Sequence, residues 1–292
     1  VMAYYGGLGG LGGLGGLGGL NYSGLGNFLG AGAVGVQDPF TIQGLQVSAQ
    51  AISHAAGNTP AFPSGELDFS SAENLDNWAD WVRASLFMSD FLSGLHWDIK
   101  TNPEKSVVLS HRSANGSAQP FFELMRPDAS VFEEQLKIVR SYMDQRPERT
   151  PEIISQLGFP TPYFAMILGL HPARNSKTLE LITVTQVLAA HVAMIVKHHV
   201  AIRRPDRIGA TVLPMIPTPG HGSFPSAHAT EAFAVARMLE GLIDPCQPHY
   251  PDPDKRKKLV RKQAERIAVS RTVAGVHYPV DSWAGALLGK MV

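Results

Sequence analysis

The stretch between Asn175 and Pro205 constrains the fold of this 292-residue chain more than any other. It holds the longest strongly apolar run, residues 181–196 (LITVTQVLAAHVAMIV). A start signal at Asn175–Ser176 precedes the run, and Pro205 imposes a stop. The run is shorter than the roughly 18–20 residues of a membrane span and carries Thr, Gln and His. It therefore reads as a buried core helix, and a buried helix needs neighbours with matching apolar faces.

Helical spacing supplies those neighbours. Ser71 is a plausible N-cap with Glu73 inside it, followed by Trp78, Trp81, Val82, Leu86 and Phe87. Phe132, Leu136, Val139 and Tyr142 share one face of a helix over 130–144. Pro151 suits the first turn of a short helix ending near Leu157, and 163–170 is brief and apolar. A further helix runs from Pro225–Ser226 to Gly241, and Asp254 caps another over 255–274. Asp281 opens a last apolar segment. Residues 100–120 lack periodicity, and strand signals are few. The expected fold is all-α, a helical bundle with long loops.

Residues 6–20 are five copies of Gly-Gly-Leu. A period of three matches neither an α-helical stripe nor a strand, so 1–37 reads as a low-complexity leader. The sharper alternative is a packing arm for a homo-oligomer. The rest, 38–292, is expected to be a single helical domain, with an N-terminal helical part at 38–174 and the site-bearing part at 175–292. The N-terminus lacks a basic n-region and a clear cleavage site, so no signal peptide is read there. A signal already removed would place the protein outside the cytoplasm, secreted or periplasmic.

Composition excludes several classes. With 25 basic and 25 acidic side chains the formal charge is zero, which argues against a general nucleic-acid binder and leaves room for a local anion pocket. One cysteine, Cys246, excludes an intrachain disulfide framework and a cysteine-rich zinc site.

Three clusters carry chemistry. In Lys197-x6-Arg204-Pro205, seven residues make about 700° on an uninterrupted helix, which puts both cations within roughly 20° of one face. Alone, this is an ordinary cationic helix end. Pro225-Ser226-Ala227-His228 opens a helix, where N–H groups and the dipole favour an anion. Alone, it is an ordinary N-cap with a nearby histidine. In Ser270-Arg271-x5-His277-x3-Asp281, a carboxylate four residues past a histidine can fix its tautomer and raise its basicity. That arrangement serves a metal ligand or a nucleophilic histidine equally well, but alone such a pair is more often a structural hydrogen bond. Together the clusters make sense around a tetrahedral oxyanion: three cations, a serine hydroxyl, helix N–H groups and two histidines.

In this order and spacing the clusters resemble the tripartite signature of one superfamily. It joins vanadium-dependent haloperoxidases, type 2 phosphatidic acid phosphatases and bacterial class A acid phosphatases. The match covers 197–281; the preceding 190 or so residues carry no matching motif. The resemblance implies an all-helical fold with the anion pocket inside the bundle. It assigns Lys197, Arg204 and Arg271 to the equatorial oxygens, helped by Ser226 and the Ala227 N–H. In a haloperoxidase, His277 would be the protein ligand to the vanadium of a vanadate cofactor, oriented by Asp281, with His228 as acid–base. Hydrogen peroxide and a halide, bromide or iodide, would give hypohalous acid, which acts on a small organic substrate. In an acid phosphatase, which needs no cofactor, His277 would become a phosphohistidine and His228 would protonate the leaving group of a phosphate monoester.

Two departures bear on the choice. Ala227 stands where the family usually has Gly, and Met194 where haloperoxidases often have Trp or Arg. His221, seven before His228, points the other way, because algal bromoperoxidases carry a histidine at that step. The expectation is a vanadate-dependent haloperoxidase of the bromoperoxidase type, not an integral membrane protein, with a phosphatase on the same scaffold as the alternative. A non-catalytic assembly protein would require the whole pattern to be vestigial. His198 and His199 read as structural or surface residues.

Overall fold

The computed structural model describes residues 46–47, 49–51, 67–112, 116–246 and 249–292. The Gly-Gly-Leu leader lies outside them. The described residues divide into two compact units, one ending at residue 86 and the other running from 87 to 292. In the smaller, Ser71 caps a short 3-10 helix, Ala72–Asn77, by accepting the Glu73 N–H at 3.3 Å. Arg83 then ties the first turn of helix α1 (Asp80–Gly94) to that cap region, donating to the Leu75 and Trp78 carbonyls at 2.7 and 2.9 Å.

The larger unit corrects the all-α expectation. Strands β1 (Leu95–Lys100), β2 (Ser106–Arg112) and β3 (Ala118–Met125) form an antiparallel sheet in the order β1-β2-β3. Leu109 of β2 pairs with Trp97 on one side and Phe122 on the other. The region lacks visible alternation because β2 is buried continuously from Ser106 to Ser110, as a central strand can be, while β1 exposes nearly all of its length. Leu95, Val107, Leu109 and Leu124 join Val192, Val196, Phe132 and Tyr278 in one apolar cluster. The remaining regular structure of the unit is helical.

Helices α2 (Ala129–Ser141), α3 (Arg146–Ser155) and α4 (Thr161–Leu168) lead to the central helix α5, Ser176–Val200. In α3 the first-turn proline is Pro147, and Pro151 lies inside the helix. Helix α5 carries a mostly buried face, as its apolar run requires. The stretch Ser176–Arg207 is, among the described residues, the one long and apolar enough to cross a membrane, with mean hydropathy 1.8; 67% of that window is buried within the protein. Helices α6 (Ala227–Ile243), α7 (Pro253–Val273) and α8 (Pro279–Met291) complete the bundle. Helix α6 passes its expected end at Gly241 because Ile243 is buried in the second apolar cluster, with Leu179, Phe233 and Ile267. Helix α7 begins two residues earlier than expected, with Asp252 at its N-cap and Asp254 inside its first turn.

Small residues set how closely α6 and α8 approach. A Cβ on Gly285 would lie 2.5 Å from the Ser226 carbonyl oxygen, and one on Gly289 would overlap the Thr230 carbonyl. Glycine thus lets α8 press against the first turns of α6, where the second cluster begins.

Candidate active site

Lys197 comes from the last turn of α5. Ala201, at φ +52°, ends that helix, so Arg204 does not continue along the same helical face. This corrects the shared-face expectation. Arg204 sits in extended backbone before Pro205, and the loop swings its side chain back beside the helix end. Lys197 and Arg204 are both buried, as are Arg271, Ser226, Ala227, His228, His277 and Asp281.

Gly275, at φ +81°, supplies the left-handed residue that turns the chain out of α7 and back toward α8. That turn places His277 against Asp281, with Nδ1 2.8 Å from Oδ2. Oδ2 also accepts from Ser223 Oγ at 2.5 Å and from the Tyr278 N–H at 3.0 Å. Arg204 Nη1 lies 2.8 Å from His277 Nε2 and donates to the Val276 carbonyl at 2.7 Å. A guanidinium can only donate, so Nε2 is the acceptor and the ring proton sits on Nδ1, facing the carboxylate. The nitrogen on the cationic side of the ring therefore carries a lone pair.

The same reasoning fixes His228. Its Nε2 is 3.2 Å from the Gln156 carbonyl oxygen, which only accepts, so Nε2 holds the proton and Nδ1 the lone pair. Ser226 caps α6 by accepting the Ala229 N–H at 3.3 Å, and its own N–H donates to the Asp281 carbonyl at 2.9 Å. Lys197 Nζ donates to the Gly222 and Ser223 carbonyls at 2.9 and 2.7 Å. His221 packs at the edge, its Nδ1 3.2 Å from Arg204 Nη2 while Arg204 Nε donates to its carbonyl at 3.1 Å.

Arg271 donates through Nη2 to the Ile153 carbonyl and to Gln156 Oε1, both at 3.1 Å. Its Nε and Nη1 are buried with no partner. Two unanswered donors on a buried guanidinium cost free energy unless an anion meets them. Among the described residues no group of three or more His, Cys, Asp and Glu side chains could hold a metal cation. The donor set of cations, hydroxyls and N–H groups fits a tetrahedral oxyanion, phosphate or vanadate alike.

Burial dominates the titration behaviour. It holds Lys197 well below its ordinary value, with Arg204 adding repulsion. It lowers Arg204 and Arg271 to about 10. Burial, then the charge of Arg271, pushes His228 down to about 3, and burial with Arg204 and Lys197 keeps His277 well below the usual imidazole range. Burial raises Asp281 to about 6, against the pull of Ser223, Lys197, Tyr278 and Arg204. Both histidines are thus neutral, and the site carries an excess of cations.

All nine expected site residues converge here, His221 at the rim. Three further residues belong to the neighbourhood without having been expected. Gln156, fully buried, touches both Arg271 and His228 from the end of α3, and no motif signals it. Ser223 holds Asp281 from the loop before α6. Glu231, buried three residues past His228, has its carboxyl pushed well up by burial and feels Lys197 and Arg271; its spacing from His228 was the available clue. His198 and His199 are exposed, as expected, with ring centroids 4.8 Å apart. A cavity of about 640 Å³ borders the site, with Met194, Lys197, Arg204 and His221 on its wall.

Residues 178–292 match the PAP2 superfamily. Over 94 residues the chain is 34% identical to the vanadium-dependent bromoperoxidase of Ascophyllum nodosum, covering 26% of this chain and 17% of that protein. Over 105 residues it is 33% identical to the decaprenylphosphoryl-5-phosphoribose phosphatase of Mycobacterium tuberculosis, covering 36% of this chain and 51% of that one. The chain thus spans about half the length of one curated relative and a sixth of the other. Among solved structures, a transmembrane PAP2-type phosphatidylglycerolphosphate phosphatase from Bacillus subtilis aligns with TM-score 0.42 and 23% identity, over 56% of this chain and 83% of that one. A bacterial vanadium-dependent iodoperoxidase aligns with TM-score 0.36 and 16% identity, over 55% and 46%.

Proposed function

We propose, from the premise that residues 178–292 form a PAP2 superfamily domain, that this protein hydrolyses phosphate monoesters through His277. The observation that carries the reading is His277 itself. Its proton is committed to Asp281, and its lone pair faces the cationic side of a site in which Arg271 has two unanswered donors.

The chemistry follows from those atoms. Lys197, Arg204 and Arg271 neutralise the phosphoryl oxygens, and Arg204 exchanges its His277 contact for one of them. His277 Nε2 forms a bond to phosphorus as the bond to the leaving oxygen breaks, and Asp281 stabilises the charge that develops on the ring. His228 gives a proton to the departing alkoxide. Water then attacks the phosphohistidine, His228 takes a proton from it, and phosphate leaves with His277 restored. His228 must be protonated in the first step, although burial and Arg271 hold it neutral down to about 3. The substrate's own negative charge reverses that balance.

Met194 favours hydrolysis over halide oxidation. It is among the residues lining the cavity beside Lys197, where a released hypohalous acid would oxidise a methionine to the sulfoxide.

A second reading keeps the haloperoxidase, favoured by His221 at 3.2 Å from Arg204 and by the bromoperoxidase relative. Lys197, Arg204, Arg271 and Ser226 would hold vanadate, with His277 as its ligand. Bound there, vanadate would supply Lewis-acid activation of hydrogen peroxide toward bromide or iodide. His221 and His228 would then hold and move protons. In either reading α5 serves as a core helix, 67% of its most apolar window being buried within the protein.

One preparation decides between them. The protein, stripped of metals and anions, is assayed for hydrolysis of an aryl phosphate. With added orthovanadate it is assayed for bromination of a dye by hydrogen peroxide and bromide. Phosphate release that orthovanadate inhibits, without bromination, supports the phosphatase. Bromination that requires vanadate and is lost in His277→Ala overturns it in favour of the second reading.

A further inference from the structure

We infer that Glu231, which lies outside all three sequence clusters, is a further anion-binding residue: its carboxyl holds a proton and gives a hydrogen bond to an oxygen of the bound oxyanion. The inference rests on the oxyanion reading above and adds to it a neutral donor that limits binding on the alkaline side.

Its position comes first. Glu231 follows His228 by three residues on α6, close to one helical turn, so the two side chains are neighbours on one face. Helix α6 packs against α5, which brings Lys197, and against α7, which brings Arg271. Where α8 comes closest to this turn it presents Gly285 and Gly289, while its charged residues, Asp281 and Lys290, stand in its first and last turns. Further along α6, Arg237 and Glu240 pair with each other at 3.9 Å. The charges that act on Glu231 are therefore those of Lys197 and Arg271.

Its bonding comes second. Glu231 is 1% exposed, and its Oε1 is buried with no partner. The two nearby cations spend their hydrogen bonds elsewhere, Lys197 on the Gly222 and Ser223 carbonyls and Arg271 on Ile153 and Gln156. A buried carboxylate short of donors costs more than the neutral acid. Burial accordingly pushes the carboxyl well above its ordinary value, against the pull of Lys197 and then Arg271.

Protonation turns the one acidic group of this face into a donor. An O–H needs an acceptor, and the open N–H groups of Arg271 beside it only donate. A tetrahedral oxyanion answers both, one oxygen on Arg271 and another on Glu231. Its negative charge also strengthens the hold of Glu231 on the proton. Once ionised, the same carboxyl would stand as a second anion against the first, so loss of this proton to solvent expels the ligand.

Equilibrium binding across pH tests this without turnover. The full chain is titrated by calorimetry with tungstate, a tetrahedral dianion whose own charge is constant between about pH 6 and 10. Wild type should bind it progressively more weakly as pH rises. Glu231→Gln keeps a neutral N–H donor, so it should match wild type within about threefold at about pH 6 and bind about tenfold or more tighter at about pH 10. Glu231→Leu, with no donor, should bind about tenfold more weakly than wild type at about pH 6. Making the same comparison in a His228→Gln background separates the proton of Glu231 from any taken up by His228.

Parallel pH profiles for wild type and Glu231→Gln overturn the inference. So does tighter binding by Glu231→Gln in equal measure at every pH, which means an ionised counter-charge. Failure of wild type to bind tungstate at any pH contradicts the oxyanion site itself, whereas binding that is indifferent to residue 231 contradicts the donor alone. If Glu231→Gln melts well below wild type, infrared difference spectra of wild type replace it. Tungstate should shift the C=O band of a protonated carboxyl, and a spectrum without that shift overturns the inference.

Discussion

Asp281→Asn isolates the charge behind His277 from its geometry. Asp281 is fully buried, and its Oδ2 accepts from His277 Nδ1, Ser223 Oγ and the Tyr278 N–H. The amide oxygen of Asn can take over those bonds, leaving its NH2 where Oδ1 has no partner. What disappears is the negative charge. In the proposed phosphatase mechanism the His277 ring becomes cationic during attack, with its charge centre about 4 Å from the carboxylate. At an effective dielectric near 20 that attraction is about 4 kcal/mol. The amide dipole recovers about 1 kcal/mol, so the barrier rises by about 3 kcal/mol and kcat falls on the order of 10²-fold. KM should move by less than about threefold, because the oxygens are bound by Lys197, Arg204 and Arg271. The assay is steady-state hydrolysis of an aryl phosphate, with circular dichroism melts to show that the variant is folded. A folded variant with kcat within about threefold of wild type would refute the argument that Asp281 stabilises a cationic ring.

Binding of an oxyanion should take up protons near neutral pH, because His228, held to about 3 by burial and Arg271, gains a proton once negative charge enters. Calorimetry in buffers of different ionisation heat measures the uptake, which His228→Gln should reduce; binding with no proton uptake contradicts the account. The same depressed value predicts acid sensitivity. Below about 6.5 the unfolded chain binds a proton at His228 that the folded one refuses, so stability is present above that pH and lost as pH falls toward about 3. Melts across this window should fall less steeply for His228→Gln. Gln156→Ala strips a partner from Arg271 and should cost about 1–3 kcal/mol of stability and about tenfold in activity, read by denaturation and kinetics together. Gly285→Ala forces a methyl to 2.5 Å from the Ser226 carbonyl, so α8 must back away from the first turn of α6; about 1–3 kcal/mol of destabilisation is expected in urea titration, with activity falling as well.

Much of the site was legible because its residues are fixed by chemical type at fixed spacing. Lys197, Arg204, Ser226, His228, Arg271, His277 and Asp281 could be found without knowing how the chain bends. Their arrangement could not. The face shared by Lys197 and Arg204 was an extrapolation of α5 past a residue at positive φ, and Ala201 gives no sign of that conformation in its identity. Gln156 was invisible for a different reason. Its link to Arg271 and His228 depends on where α3 docks, a long-range event with no local pattern. The sheet was missed because short strands, one continuously buried and one almost wholly exposed, show no alternation to read. Helices α5 to α8 were readable since their caps and stops are local, although the reach of α6 to Ile243 was decided by packing.

Trapping the covalent intermediate tests the central claim most directly. The protein is mixed with an aryl phosphate labelled at phosphorus, quenched in alkali within a single turnover, and mapped by peptide. The account predicts label on His277, stable to base and lost in acid, absent from His277→Ala and accumulating in His228→Gln if that variant slows attack by water. Hydrolysis at the normal rate with no label on His277, or with label on another residue, would contradict it.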